Sequence, residues 1–126
     1  MTDARVGVDL VEIDAFQARL TGRDDLLADV FTADELAYCR LQHRPWEHLA
    51  ARFAAKEAAL KALGTGLAMD TTWREIEVER DAAGTPRLVF HGATASVLTA
   101  RGLRGGSVSL SHTERFAVAV VLLVAA

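Results

Sequence analysis

The chain has 126 residues, 51% of them apolar and 25% charged, which suits one domain spanning residues 1–126 and leaves too little interior for two. Fourteen Lys and Arg against 17 Asp and Glu give a net charge of −3 without any basic run, which disfavours nucleic-acid binding as the main activity, since that needs a concentrated cationic face. A single cysteine, Cys39, excludes an intrachain disulfide, and the longest apolar run, Phe116 to Ala126, is 11 residues, too short for a membrane helix.

Taken along the chain, Val6, Val8 and Leu10 alternate around Gly7 and Asp9, the pattern of a short strand. Asp9 and Glu12 stand at capping-box spacing, which predicts a helix starting there, running to about Leu20 and ending at Gly22. Thr32 and Glu35 repeat that spacing ahead of Leu36 to Cys39, predicting a second short helix that closes before Pro45. From Trp46 to Leu63 the chain is rich in Ala, Leu, Glu, Lys and Arg, has no Gly or Pro, and stops at Gly64-Thr65-Gly66. Leu49, Phe53, Leu60 and Leu63 fall on roughly one stripe, so this is the core helix.

The period then changes to two. Ile76 and Val78 alternate with Glu75, Glu77 and Glu79, Asp81 to Gly84 makes a turn, and Arg87 to Phe90 returns as the partner strand. Thr94 to Arg101 reads as a short helix stopped by Gly102. Val108 to Ser111 and Phe116 to Val124 form a second hairpin around Thr113-Glu114-Arg115. The Phe116 strand is apolar on both faces and must be covered on both. With a mean hydropathy of +0.16 in so small a domain, this predicts burial against another chain. The order β-α-α-α-β-β-α-β-β describes an α+β domain with a mainly antiparallel sheet packed on a long core helix. The reducing compartment that a lone cysteine suits, and an N-terminus without a signal-like apolar stretch, predict a cytoplasmic protein.

Several residues carry chemistry. Asp9 ends an apolar strand and reads either as a helix cap or as a functional carboxylate. Glu57 reads either as the i,i+4 partner of Lys61 or as a ligand. Arg52, Lys56, Glu57 and Lys61 set three cations and one anion within a few turns of an alanine-built helix. Mg²⁺ is held by one or two carboxylates plus substrate phosphates, with neighbouring Lys and Arg neutralising the rest of the phosphate charge, so this cluster suits a phosphate site as well as a solvated face. The amides of Gly64-Thr65-Gly66 suit a phosphate approach or a simple helix end. His112 closes a strand, as a structural or a site histidine. His43 and His48, five apart, do not share a helix face for a metal pair. Cys39 reads as a small buried hydrophobe.

Three segments converge on one family. Gly7-Val8-Asp9-Leu10-Val11-Glu12-Ile13, the stretch from Arg52 through Lys56-Glu57-Ala58 to Gly64-Thr65-Gly66, and Val108-Ser109-Leu110-Ser111-His112-Thr113 closely resemble, in order and spacing, the motifs of holo-acyl-carrier-protein synthases, the small bacterial 4′-phosphopantetheinyl transferases. The resemblance covers essentially the whole chain. It implies transfer of the phosphopantetheine arm of coenzyme A to a serine of an apo acyl carrier protein of fatty-acid or polyketide synthesis, with release of adenosine 3′,5′-bisphosphate.

By motif position it implies that Asp9 and Glu57 bind Mg²⁺, and that Lys61, Arg52 and Lys56 face the phosphates. It implies too that Ser109 and His112, with Gly64, Thr65 and Gly66, line the coenzyme A pocket, and that Glu57 deprotonates the carrier serine, directly or through a metal-bound water. It implies a trimer with sites between neighbouring chains. A non-catalytic oligomer that binds coenzyme A or a nucleotide is the alternative. One stretch departs from the family pattern. The first helix reads Asp14-Ala15-Phe16-Gln17-Ala18-Arg19, then Arg23-Asp24-Asp25, where a basic carrier-docking surface is usual. This predicts weaker electrostatic steering, or an acceptor such as a polyketide-synthase carrier domain.

Overall fold

The computed structural model describes residues 4–66 and 70–126. Strand β1 (Ala4–Glu12) leads into helices α1 (Ile13–Leu20), α2 (Asp24–Val30), α3 (Ala33–Arg40) and the long α4 (Pro45–Leu63). Then follow β2 (Ile76–Arg80), β3 (Pro86–Phe90), α5 (Gly92–Ala100), β4 (Leu103–His112) and β5 (Phe116–Ala125). All pairings are antiparallel: one sheet runs β1-β5-β4 and the other is the β2-β3 hairpin. The α+β class and both hairpins are as the periodicity predicts.

Two local expectations are corrected. Asp9 does not cap a helix: β1 continues through Glu12, and α1 begins at Ile13 with Glu12 as its N-cap and no side-chain cap bond. The pairing of β1 with β5 extends to Glu12 opposite Phe116, and this ladder holds the backbone extended past the capping-box spacing. Helix α2 has no counterpart in the predicted order, because it is only seven residues long and carries no side-chain cap. The Thr32 box is present: Thr32 Oγ1 accepts from the Glu35 amide at 3.1 Å, and Glu35 Oε1 accepts from the Thr32 amide at 2.9 Å.

Helix α4 is buried nearly all round rather than along one stripe. Leu49, Leu60 and Leu63 are buried together with seven alanines, Arg52 and Lys56, whereas Phe53 is half-buried. Small side chains let α4 lie directly on the sheet. At Gly7 of β1 a Cβ would collide with the Ala58 carbonyl oxygen and sit 2.9 Å from the Ala62 amide nitrogen, so main chain meets main chain there. Gly7→Ala is therefore expected to destabilise the fold by about 3 kcal/mol, the upper part of the overpacking range, because backbone cannot move aside as a side chain can. Urea unfolding measures it.

The sheet has two unlike faces. Ala117, Ala119, Val121 and Leu123 of β5 point at α4 and are fully buried. On the opposite face Val6, Val8 and Leu10 are 65%, 52% and 63% exposed, and they pair across the ladder with Leu122, Val120 and Val118. Among the described residues, the second face of β5 is therefore only partly covered, with Val120 44% exposed.

Candidate active site

Asp9 lies on the inward side of β1, opposite Ala119, between the outward-facing Val8 and Leu10. It borders a cavity of about 570 Å³, shared with Glu12, Phe16, Phe53, Glu57 and Trp73 among others. Lys61, one turn beyond Glu57 on α4, reaches over to β1. Its Nζ donates to Asp9 Oδ1 and to the Val8 carbonyl, both at 3.0 Å. The i,i+4 pair between Glu57 and Lys61 is thus not formed. Instead Glu57 Oε1 accepts from the indole Nε1–H of Trp73 at 2.7 Å. Trp73 is not among the residues that the motifs single out; a lone large aromatic in the polar stretch Asp70-Thr71-Thr72-Trp73 is the signal that points to it.

Two oxygen-bearing carboxylates on one cavity fit Mg²⁺, which keeps several waters and takes its remaining ligands from phosphate. No group of three or more His, Cys, Asp or Glu side chains suited to a metal occurs among the described residues. The donor set therefore matches a cation shared with a phosphorylated substrate rather than a closed protein cage.

Lys56 is corrected. It turns inward, wholly buried, with Nζ 2.8 Å from Glu35 Oε1, 3.0 Å from the Trp73 carbonyl and 2.6 Å from the Ile76 carbonyl. One residue from Glu57, it leaves α4 about a third of a turn away, toward the β2-β3 hairpin, and has no face for a phosphate. Burial outweighs Glu35 and pushes the Lys56 ammonium below the usual lysine range. Glu35 Oε2 also accepts from the Val78 amide at 2.9 Å, so this pair ties α3, α4 and β2 together.

Arg52, His48 and His112 gather near the other end of α4. His112 Nδ1 is 3.1 Å from Glu47 Oε2, its ring lies 5.6 Å from that of His48, and the Arg52 guanidinium stacks 4.5 Å from the Tyr38 ring. Arg80 approaches the same ring at 5.6 Å. Burial, then the charges of Arg52, His112 and Arg80, hold the His48 imidazole below the usual histidine range. Arg52 Nε is buried without a hydrogen-bond partner among the described residues. Glu47 and Glu57 are about 15 Å apart along the helix at ~1.5 Å per residue, so one chain does not bring His112 to Asp9.

Gly64 adopts the left-handed conformation at φ 81° and ends α4. Its amide and that of Thr65 donate to helix carbonyls, Leu60 and Lys61 for Gly64 and Leu60 for Thr65, so neither is directed at a ligand. The Gly66 carbonyl accepts from Thr71 Oγ1 at 2.7 Å. Ser109 faces the open side of the sheet, opposite Val120, away from the Asp9 cavity. On α1 and its exit, Arg19 borders the cavity, whereas Arg23 is engaged with Asp25 at 3.2 Å. Cys39 is fully buried and its thiol is pushed up to about 11, chiefly by burial, so it is no nucleophile. No helix among the described residues is long and apolar enough to cross a membrane.

The family model described as the 4′-phosphopantetheinyl transferase superfamily matches residues 5–121. A holo-[acyl-carrier-protein] synthase of Koribacter versatilis (strain Ellin345) is 44% identical over 118 residues, covering 93% of this chain and 94% of its own length. The Chronobacterium ammoniagenes ACPS–CoA complex superposes with a TM-score of 0.87 at 31% identity over 98% of both chains. A holo-(acyl-carrier-protein) synthase from Bacillus anthracis str. Ames, in complex with CoA (3′,5′-ADP), gives 0.78 at 31% identity over 97% of this chain and 96% of that one. With a match from β1 through most of β5, at this identity and coverage, the chain belongs to the 4′-phosphopantetheinyl transferase superfamily and is an enzyme of the holo-[acyl-carrier-protein] synthase type.

Proposed function

We propose that this chain transfers the 4′-phosphopantetheinyl group of coenzyme A to a serine hydroxyl of an apo acyl carrier protein, in the cytoplasm, at sites shared between neighbouring copies in a trimer. The observation that carries this reading is that Asp9 and Glu57, from two elements, line one cavity, with Lys61 bonded to Asp9 beside it. The serine oxygen attacks the pantetheine-side phosphorus of the pyrophosphate. The bond from that phosphorus to the bridging oxygen breaks, and adenosine 3′,5′-bisphosphate leaves with the bond electrons. Glu57 receives the serine proton. Lys61, about half-exposed and fixed by Asp9 and the Val8 carbonyl, offers charge to the leaving phosphate. Asp9 and Glu57 would hold Mg²⁺, which would supply neutralisation of the pyrophosphate charge.

Arg52, His48 and His112 serve coenzyme A bound at the site of a neighbouring chain, a reading that the ~15 Å separation along α4 supports. Gly64, Thr65 and Gly66 adjoin Lys61 and form a wall of the pocket, and Ser109 contributes from the face that the neighbour covers. The exposed Val6, Val8, Leu10 and Val120 supply the contact between copies. With Arg23 turned to Asp25 and Asp14 on α1, the docking surface attracts an acidic carrier weakly, which favours an acceptor less dependent on charge steering.

Mass spectrometry of an apo carrier incubated with coenzyme A, Mg²⁺ and this protein tests the activity. A phosphopantetheine mass gain is the expected result, and binding of coenzyme A without that gain would indicate the non-catalytic oligomer. Val120→Glu tests the shared site: sedimentation should report dissociation to single chains, with transfer lost in parallel. A fully active single chain would refute it.

A further inference from the structure

We propose that Trp73 is the positioning residue that sets the Glu57 carboxylate for its cation, and that the buried Lys56–Glu35 pair anchors Trp73 for this task. The inference rests on Glu57 being a metal ligand, as in the proposed function.

Among the described residues, the hydrogen-bond partner of Glu57 is the indole of Trp73, at 2.7 Å from Oε1. Lys61, the helical neighbour that would otherwise pair with it, is turned to Asp9 and Val8. Glu57 is half-buried and its side chain has three rotatable bonds, and one strong donor on one oxygen removes most of that freedom. The donor is itself held at both ends. The Trp73 ring lies against Phe53, centroids 5.8 Å apart, and its carbonyl accepts from Lys56 Nζ and from the Ile76 amide, each at 3.0 Å. Lys56 cannot drift, because Glu35 and the Ile76 carbonyl bind the same ammonium inside the core. Partners of this kind around metal ligands change affinity or activity by about 10–100-fold when lost.

The test is Mn²⁺ binding, read from the free-ion paramagnetic resonance signal with one equivalent of coenzyme A present. Trp73→Phe removes the N–H together with the five-membered ring and leaves a smaller aromatic ring against Phe53. It is expected to weaken Mn²⁺ binding about tenfold or more with little change in melting temperature. In a Glu57→Gln background the same change should have no further effect, because Trp73 acts through Glu57. Replacing the indole N–H at position 73 by sulfur in an isosteric amino acid carries the same expectation, should the phenylalanine variant fold poorly. Wild-type affinity in Trp73→Phe, or an equal loss in the Glu57→Gln background, overturns the inference alone. A wild-type protein that binds no Mn²⁺ removes the metal role of Asp9 and Glu57, and this inference with it.

Discussion

Glu57→Gln and Asp9→Asn are each expected to slow phosphopantetheine transfer by about 10²–10⁴-fold, with melting temperatures close to that of the parent chain. Glutamine keeps the length of glutamate and an oxygen able to accept from Trp73, so the 2.7 Å bond and the packing survive while the charge is lost. The Asp9→Asn change leaves Lys61 its second acceptor, the Val8 carbonyl. The ion pair it removes involves a Lys61 side chain that is 55% exposed, a class of pair worth about 0–1 kcal/mol. The loss of rate is thus separable from any loss of fold. If both carboxylates serve one cation, the double variant should be little worse than either single one. A time course of carrier mass gain, run beside thermal melting, checks both statements. Turnover near the parent rate in either variant removes that residue from the metal site.

Lys56→Met carries the largest expected cost in stability, about 3–5 kcal/mol, because it strands the Glu35 carboxylate in the core. The Trp73 and Ile76 carbonyls lose a donor at the same time. Domains of this size are stable by only ~5–15 kcal/mol, so a substantial unfolded fraction is expected at physiological temperature. The pair does not act as a simple stabiliser. The Lys56 ammonium is held below its ordinary value of 10.5, so the folded chain binds that proton less tightly than the unfolded chain does. Its contribution is most favourable above 10.5 and declines as pH falls through the lowered folded value. Urea unfolding of the parent chain across alkaline pH should show this decline, and the methionine variant should lack it.

These two experiments bear on different parts of the sequence, and the parts differ in how far they could be read in advance. Helix α4 is legible because alanine-rich composition and a terminal Gly64 act locally. Asp9 and Glu57 become legible as a pair only through the family resemblance, since they are far apart in the chain and meet because α4 lies on β1. The Asp9–Glu12 spacing misleads because a capping box describes a local preference, and the ladder to β5 outweighs it. Lys56 misleads for a related reason. Lysine is rarely buried, and its burial here depends on Glu35, 21 residues earlier, and on carbonyls after the helix. The capping box at Thr32 is legible, yet its Glu35 also serves the core pair, which no spacing rule discloses. The open apolar face is visible in the unbroken apolar run of β5, although only the ladder shows Val6, Val8 and Leu10 extending it.

The contact at Gly7 has a bearing on the tolerances of the site. Only Val8 separates Gly7 from Asp9, and Ala58, whose carbonyl Gly7 meets, adjoins Glu57. The spacing of the two backbone positions that carry the carboxylates is therefore gauged by the closest approach of two main chains. Substitutions in α2, α5 or the β2-β3 turn can accumulate without altering that gauge. A single methyl group at Gly7 should widen it, detuning cation binding in whatever fraction of the protein still folds.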